Sequence, residues 1–321
     1  MSVPAPTQPF VVPDPGRAPG LPAVEIQTLA LIIATYGAWL GVTHAYGRWP
    51  LWVVAPVTAV LLALHSSLQH EILHGHPTRW RWVNHLCAVP ALSLWLPFER
   101  YRQLHLIHHV NDRLTDPHDD PETNYWDPED WRRLGPIGRG LVRIQLTLAG
   151  RMLLGPLWRI PRFLRAEFWA VVRGQRYARA YWAEHLVWCA LVIGWVTVVC
   201  GMPLWLYIVA MVYPGNSLLL VRSFAEHRAR EPMRERTAIV EGSWFFGPLF
   251  LFNNLHAMHH EEPLMPWYQY NARYRVVRDR LIRENGGLIY STYFDVARRF
   301  LLRPHDVPVH PTGGVPRTRG R

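Results

Sequence analysis

Lysine is absent from this chain of 321 residues, whose 34 basic positions are all arginine. Exclusive use of one basic residue follows genome composition as readily as physical demand, so it carries no argument for phosphate or nucleic-acid recognition. Cysteine is scarce. Cys87, Cys189 and Cys200 lie in or beside apolar stretches without metal-type spacing, which excludes a disulfide framework. Charge is missing over long stretches: Thr28 to Val42 has none, Leu51 to Leu68 holds only His65, and Leu186 to Val221 contains no Asp, Glu, Arg or Lys. The mean hydropathy of −0.03 looks soluble only because these runs alternate with arginine-rich segments. With 50% hydrophobic residues the chain has ample material for a core and is not mainly disordered.

Two of the uncharged runs approach the roughly 20 residues that cross a bilayer, and a short link ending in YGRWP joins them into a transmembrane hairpin. The third is too long for one crossing of about 30 Å, and Gly201-Met202-Pro203 near its middle supplies turn chemistry for a second hairpin. Sixteen arginines lie between His70 and Trp182, whereas the two tight turns together hold only Arg48. The positive-inside rule therefore places both turns outside and both termini and the middle segment in the cytoplasm. A net charge of +10 bordering apolar runs fits a membrane protein with a basic face better than a nucleic-acid partner. Val83 to Phe98 and Trp244 to Phe252 are too short or interrupted to span, and we expect them at the interface or against the bundle. Leu141 to Trp158, interrupted by Arg143 and Arg151, is predicted to be one surface-lying helix. The expected organisation is a disordered tail over 1–22, a membrane domain over 23–300 and a C-terminal tail over 301–321, with no internal repeat.

Histidine is abundant, at 17 residues, and it is clustered. His70 and His74 (HEILH) follow the first hairpin; His105, His108 and His109 form HLIHH; His256, His259 and His260 form HAMHH. Positions i, i+3 and i+4 share one helix face, so each cluster aims two or three imidazoles at one point. His227 emerges just after the second hairpin, on the same predicted side. Nine histidines exceed the needs of one tetrahedral zinc and suit two metal ions, and imidazole accepts iron, zinc, copper or nickel alike. His65, His85 and His185 are isolated and read as structural. His76, offset by two residues from His74, turns to another helix face.

HEILH, HLIHH and HAMHH, with a long gap before the third box and two hairpins around them, resemble the membrane fatty-acid desaturase family from about His65 to about Tyr274. The resemblance implies an all-α integral membrane fold: four transmembrane helices in two hairpins under a cytoplasmic helical cap that holds a di-iron site. It makes His70, His74, His105, His108, His109, His227, His256, His259 and His260 the iron ligands of an oxygenase that uses O2 as co-substrate. Some family members carry an Asn four residues before the isolated His; here that position is Ser223. The acidic stretch NDRLTDPHDDPETNYW offers Asp112, Asp116 or Asp120 to orient ligand imidazoles. Glu226, Glu261 and Glu262 rank behind them, because neighbours on a helix point apart.

An unactivated C–H bond is beyond ordinary acid–base side chains, so the hard step belongs to a metal centre. The resemblance implies a lipid or fatty-acyl substrate in an apolar channel among the hairpins. Trp80, Trp82, Trp95 and Trp244 border it or, better, anchor the protein at the interface. A hydroxylase or ketolase of the same superfamily, or a desaturase of a small amphiphilic metabolite, are the alternatives. A histidine-rich metal transporter is a third, opposed by the uncharged runs at 28–42 and 186–221. Flavin and dinucleotide fingerprints are lacking, and HPTGG at His310 does not resemble a fused cytochrome b5 domain. A separate acidic, ferredoxin-like electron donor on the arginine-rich face is therefore expected.

Overall fold

The uncharged runs become long helices in the computed structural model, which describes residues 16–110 and 114–311. The first hairpin is α1 (Ile26–His44) and α2 (Leu51–Leu73), followed by α3 (Arg81–Ala88) and α4 (Phe98–Val110). The middle segment forms α5 (Pro128–Arg133), α6 (Pro136–Gln145) and α7 (Leu148–Val172). The second hairpin is α8 (Arg176–Val199) and α9 (Leu204–Ala225), each containing one π turn. Gly201, at φ +64°, takes the left-handed conformation that reverses the chain between them. The C-terminal part adds β1 (Ile239–Val240), α10 (Phe246–Leu249), α11 (His256–Glu261), α12 (Tyr270–Glu284), β2 (Ile289–Tyr290) and α13 (Tyr293–Phe300). The two strands pair in parallel, Ile239 with Ile289 and Val240 with Tyr290.

Helices α1, α2, α8 and α9 are long and apolar enough to cross a membrane. Their inner faces meet through Trp39, Val54, Leu62, Val196, Tyr207 and Met211. Their outer faces are apolar as well: Ile33 (64%), Trp52 (78%), Val198 (81%) and Val209 (61%) are largely exposed. Helices apolar all round suit hydrocarbon and not water.

The segment between α3 and α4 inserts as non-helical chain among these four helices, with Val89 and Leu92 buried. Carbonyl groups at the end of α3 and along this segment are caught by side chains. The Tyr36 hydroxyl donates to Cys87 O (2.8 Å), Gln69 Nε2 to Ala88 O (2.7 Å), and the Tyr207 hydroxyl to Leu92 O (2.7 Å). Backbone without regular structure survives among apolar helices only where each polar group is met in this way.

The expected single helix over Leu141 to Trp158 is instead broken between α6 and α7. Thr147 caps α7 by accepting from Gly150 N at 3.0 Å, and a Cβ at Gly150 would lie 2.0 Å from Ile144 O. The corner thus needs both a capping hydroxyl and a bare Cα. Arg151, at the turn, is buried and donates to Gln145 O and Asn124 Oδ1, so it faces the protein and not solvent. Beyond α13, residues 301–311 continue against the cap, where Trp126 N donates to Pro308 O and His310 N to Trp126 O. Most of the expected N-terminal tail, residues 1–15, lies outside the described residues.

Candidate metal centre

Four segments bring histidines to one end of the helical bundle. Helix α2 ends in His70 and His74; α4 presents His105, His108 and His109; the chain leaving α9 carries His227; α11 presents His256, His259 and His260. They sort into two groups. His70, His74, His105, His109 and His259 form one, and His108, His227, His256 and His260 the other, with the ligand atoms of each within 4.8 Å of one another. Each HxxHH box divides between the groups. The i and i+4 pair of α4 faces the first group and His108 the second, whereas the i and i+4 pair of α11 faces the second and His259 the first. The two boxes thus tie the groups together, and the His109 and His260 rings stack at 4.4 Å across them.

The outward ring nitrogens are held by acceptors. His105 Nδ1 donates to Glu122 Oε1 (2.7 Å), His108 Nδ1 to Asp120 Oδ1 (2.8 Å), and His227 Nδ1 to the Arg236 carbonyl (3.2 Å). His256 Nδ1 lies 3.0 Å from Asn253 Oδ1 and 3.3 Å from Glu226 Oε1, and His259 Nδ1 lies 2.9 Å from the Tyr270 hydroxyl. Carboxylates and carbonyls only accept, so for His105, His108, His227 and His256 these contacts place the proton on Nδ1 and leave a lone pair on Nε2, whereas the Tyr270 hydroxyl can accept from His259 or donate to it.

Those Nε2 atoms converge. His227 Nε2 is 2.9 Å from His256 Nε2, which is 3.1 Å from His260 Nε2; His109 Nε2 is 3.0 Å from His105 Nε2 and 2.9 Å from His259 Nε2. His227 and His256 both spend their proton at Nδ1, so neither can donate to the other and their lone pairs repel. The buried Nε2 atoms of His74 and His108 have no hydrogen-bond partner. A cation at each group satisfies these lone pairs together, so the donor set fits two metal ions of borderline softness.

Electrostatics agree. Burial, reinforced by neighbouring imidazoles, holds His74, His109, His256, His259 and His260 well below the usual histidine range. His227 is lowered to about 3, mainly by burial. Neutral imidazoles are the form that ligates. His108 differs: burial opposes its charge, but Asp120 and Glu122 outweigh that and push it up to about 9. A proton and a metal therefore compete for its Nε2 lone pair. Burial would raise Glu122, yet His105 and His108 hold its carboxyl well below the usual range.

Other histidines and acids fall elsewhere. Helix α2 ends at Leu73, so His76 is set apart by the loop and not by a helix face; its Nδ1 pairs with Glu25 at 2.8 Å. His65 meets the Tyr36 hydroxyl, His85 pairs with Glu99 and Glu184, and His185 Nε2 meets Leu94 O. Of the expected acids, Asp120 reaches a clustered histidine, Asp116 accepts from His118 N and Asp119 N within its own loop, and Asp112 lies outside the described residues. Glu261 and Glu262 pair with Arg280 and Arg273. Glu226 points away from its neighbour His227 and reaches His256 instead. Glu122, Asn253 and Tyr270 were not anticipated. Glu122 lies within the acidic stretch that the sequence marks; Asn253 and Tyr270 have no signal beyond closeness to the third box.

Beside the second group opens a cavity of about 1290 Å³ between α4, α7, α9 and the 115–130 loop. Trp95, and Asn216, Leu219 and Leu220 of the second hairpin, form part of its wall. Arg100, Glu167, Asn124, Arg159, Arg222 and Glu226 line it alongside Leu and Trp side chains. Trp95 borders it and donates to Asn216 Oδ1, whereas Trp80 (40%), Trp82 (67%) and Trp244 (88%) are exposed.

No curated protein matches the chain. The family model for fatty acid desaturase matches residues 47–293, well over half of the chain and all nine clustered histidines.

Proposed function

This chain belongs to the fatty acid desaturase family, and from that premise we propose that it is a membrane-bound, non-haem di-iron oxygenase that desaturates a fatty-acyl or lipid chain using O2 and two electrons. The family makes it an integral membrane, metal-binding oxidoreductase. In our reading His70, His74, His105, His109 and His259 hold one iron, and His108, His227, His256 and His260 the other. The carrying observation is the convergence of Nε2 lone pairs with their Nδ1 protons engaged behind them. The irons would supply the dioxygen chemistry that removes hydrogen from an unactivated carbon.

The chain's own residues orient and exclude. Glu122, Asp120 and the Arg236 carbonyl fix the ring tautomers, and the buried groups keep water from the histidines. The cavity beside them receives the substrate. We place the membrane domain at 23–300, with the histidine end of the bundle in the cytoplasm. Electrons come from a separate ferredoxin-like donor docking on the arginine-rich face. Hydroxylation or ketolation of the same carbon is the competing outcome, decided by how the chain is placed.

The test is lipid and metabolite mass spectrometry of a host expressing the protein beside His108→Ala and His259→Ala, with metal analysis of the purified proteins. We expect a product lighter by two hydrogens, lost in both variants, and about two iron per wild-type chain. A product heavier by one oxygen would replace desaturation with hydroxylation. Wild-type protein without iron would overturn the reading.

A further inference from the structure

Two arginines of the cavity beside the histidines stand outside its ion pairs. Each of the eight acids in its lining has a basic partner: Glu122 has His105, Asp120 has His108, Glu167 has Arg100 at 2.7 Å and Glu226 has Arg222 at 3.0 Å, while Asp127 meets His118, Glu129 and Asp130 meet Arg133, and Asp306 meets Arg228. Arg151 and Arg159 have no such partner. Among the described residues neither makes an ion pair, and both converge on one neutral acceptor, Asn124 Oδ1, Arg151 at 2.7 Å. Arg151 spends a second donor on Gln145 O, while among the described residues this single amide oxygen is the only hydrogen-bond acceptor of Arg159. A guanidinium offers five N–H donors, so most of those of Arg159 remain to be used.

Burial weighs against both charges; Arg159 adds to that cost for Arg151, whereas Glu122 and Glu226, beyond ion-pair distance, offset only part of it for Arg159. Arginine does not shed its proton in a protein, so the cost is relieved by bringing in an anion and not by titration. The neighbouring Ser223 Oγ is buried without a partner and lines the same cavity. The volume, about 1290 Å³, exceeds the ~300–1,000 Å³ that encloses a typical small ligand, so head and reacting segment fit in one chamber.

We propose that the cavity takes an amphiphile whose anionic head, a carboxylate or a phosphate, docks on Arg151 and Arg159 beside Asn124, within the chamber that His227 borders. This rests on the oxygenase reading only for calling the ligand a substrate. The substrate is then a short amphiphile that enters whole, and not a membrane lipid whose head stays at the interface.

Binding of octanoate, monooctyl phosphate and octan-1-ol to the purified full-length protein in phosphatidylcholine nanodiscs tests this by calorimetry, with iron content measured on the same samples. One of the anions should bind about tenfold or more tighter than the alcohol, the scale of charge-assisted hydrogen bonds. The tighter of the two identifies the head. The preference should fall to within about twofold in Arg159→Gln and persist in Arg159→Lys. Equal binding of all three ligands to wild type, or a preference that survives Arg159→Gln, overturns the proposal; if Arg159→Gln does not fold, the wild-type comparison decides. Iron-free protein that still prefers an anion keeps the head site and defeats the oxygenase reading, and iron-loaded protein that binds octanol equally well does the reverse.

Discussion

Glu122 sits where a single carboxylate controls an entire ligand. Its oxygen holds His105 Nδ1–H at 2.7 Å, and Asp120 does the same for His108. Glu122→Gln keeps an accepting oxygen but loses the charge, and we expect metal affinity to fall about 10–100-fold, read as iron retained after dialysis against a chelator. Retention equal to wild type would mean that the carboxylate merely fills space. The nine histidines could be found in the sequence because i, i+3, i+4 spacing on a helix is a local property. The groups behind them could not be singled out so well, because a loop's path decides which acid returns to the helix. Asp116 and Asp120 lie four residues apart in one acidic stretch, yet one closes its own turn and the other reaches His108.

At the scale of elements, the least regular piece is the one that holds the bundle's interior in place. The end of α3 and the non-helical segment after it depend on side chains of α1, α2, α8 and α9. Tyr207→Phe removes the donor to the buried Leu92 O and should cost about 1–3 kcal/mol in denaturant unfolding of detergent-solubilised protein. The four long helices were legible because absence of charge over a bilayer's length is a coarse signal. The inserted segment was not, because the partners that satisfy its carbonyls lie in remote parts of the chain. Similarly, apolar residues on both sides of Thr147 hide the corner between α6 and α7. Helix α3 is pinned by His85, which bridges Glu99 on α4 (2.9 Å) and Glu184 on α8 (2.7 Å). The Glu99 hydrogen bond, against a smaller effect of burial and with help from Glu184, raises His85 to about 9. Because the folded value lies above the unfolded one of about 6.5, this stabilisation is complete below pH 6.5 and disappears as pH rises through about 9. The gap in thermal midpoint between wild type and His85→Gln should therefore be open at pH 6 and closed by pH 10; a constant gap would show that the ring acts through packing alone.

For the molecule as a whole, the asymmetry of charge sets the expected orientation. Arg48 lies in the first tight turn and Arg234 beyond α9, at opposite ends of the bundle. With Cys87, Cys189 and Cys200 replaced by serine, Arg48→Cys should react with an impermeant thiol reagent on intact cells and Arg234→Cys only after the membrane is opened. The reverse pattern would invert the topology. That the fold spans a membrane could be read from the uncharged runs; that Arg100, Arg151, Arg159 and Arg222 share one cavity could not, because they lie on three different helices. The scattering of the histidines along the chain also has a consequence for biosynthesis. His70 and His74 leave the ribosome early, whereas His256 is made roughly 10 to 40 s later at about 5–20 residues per second. Neither five-fold nor four-fold cage can close until that last segment arrives, since each takes a ligand from α11. Closure of either cage is therefore a late step of synthesis, and a nascent chain stalled before His256 has a membrane anchor but no closed cage for a metal.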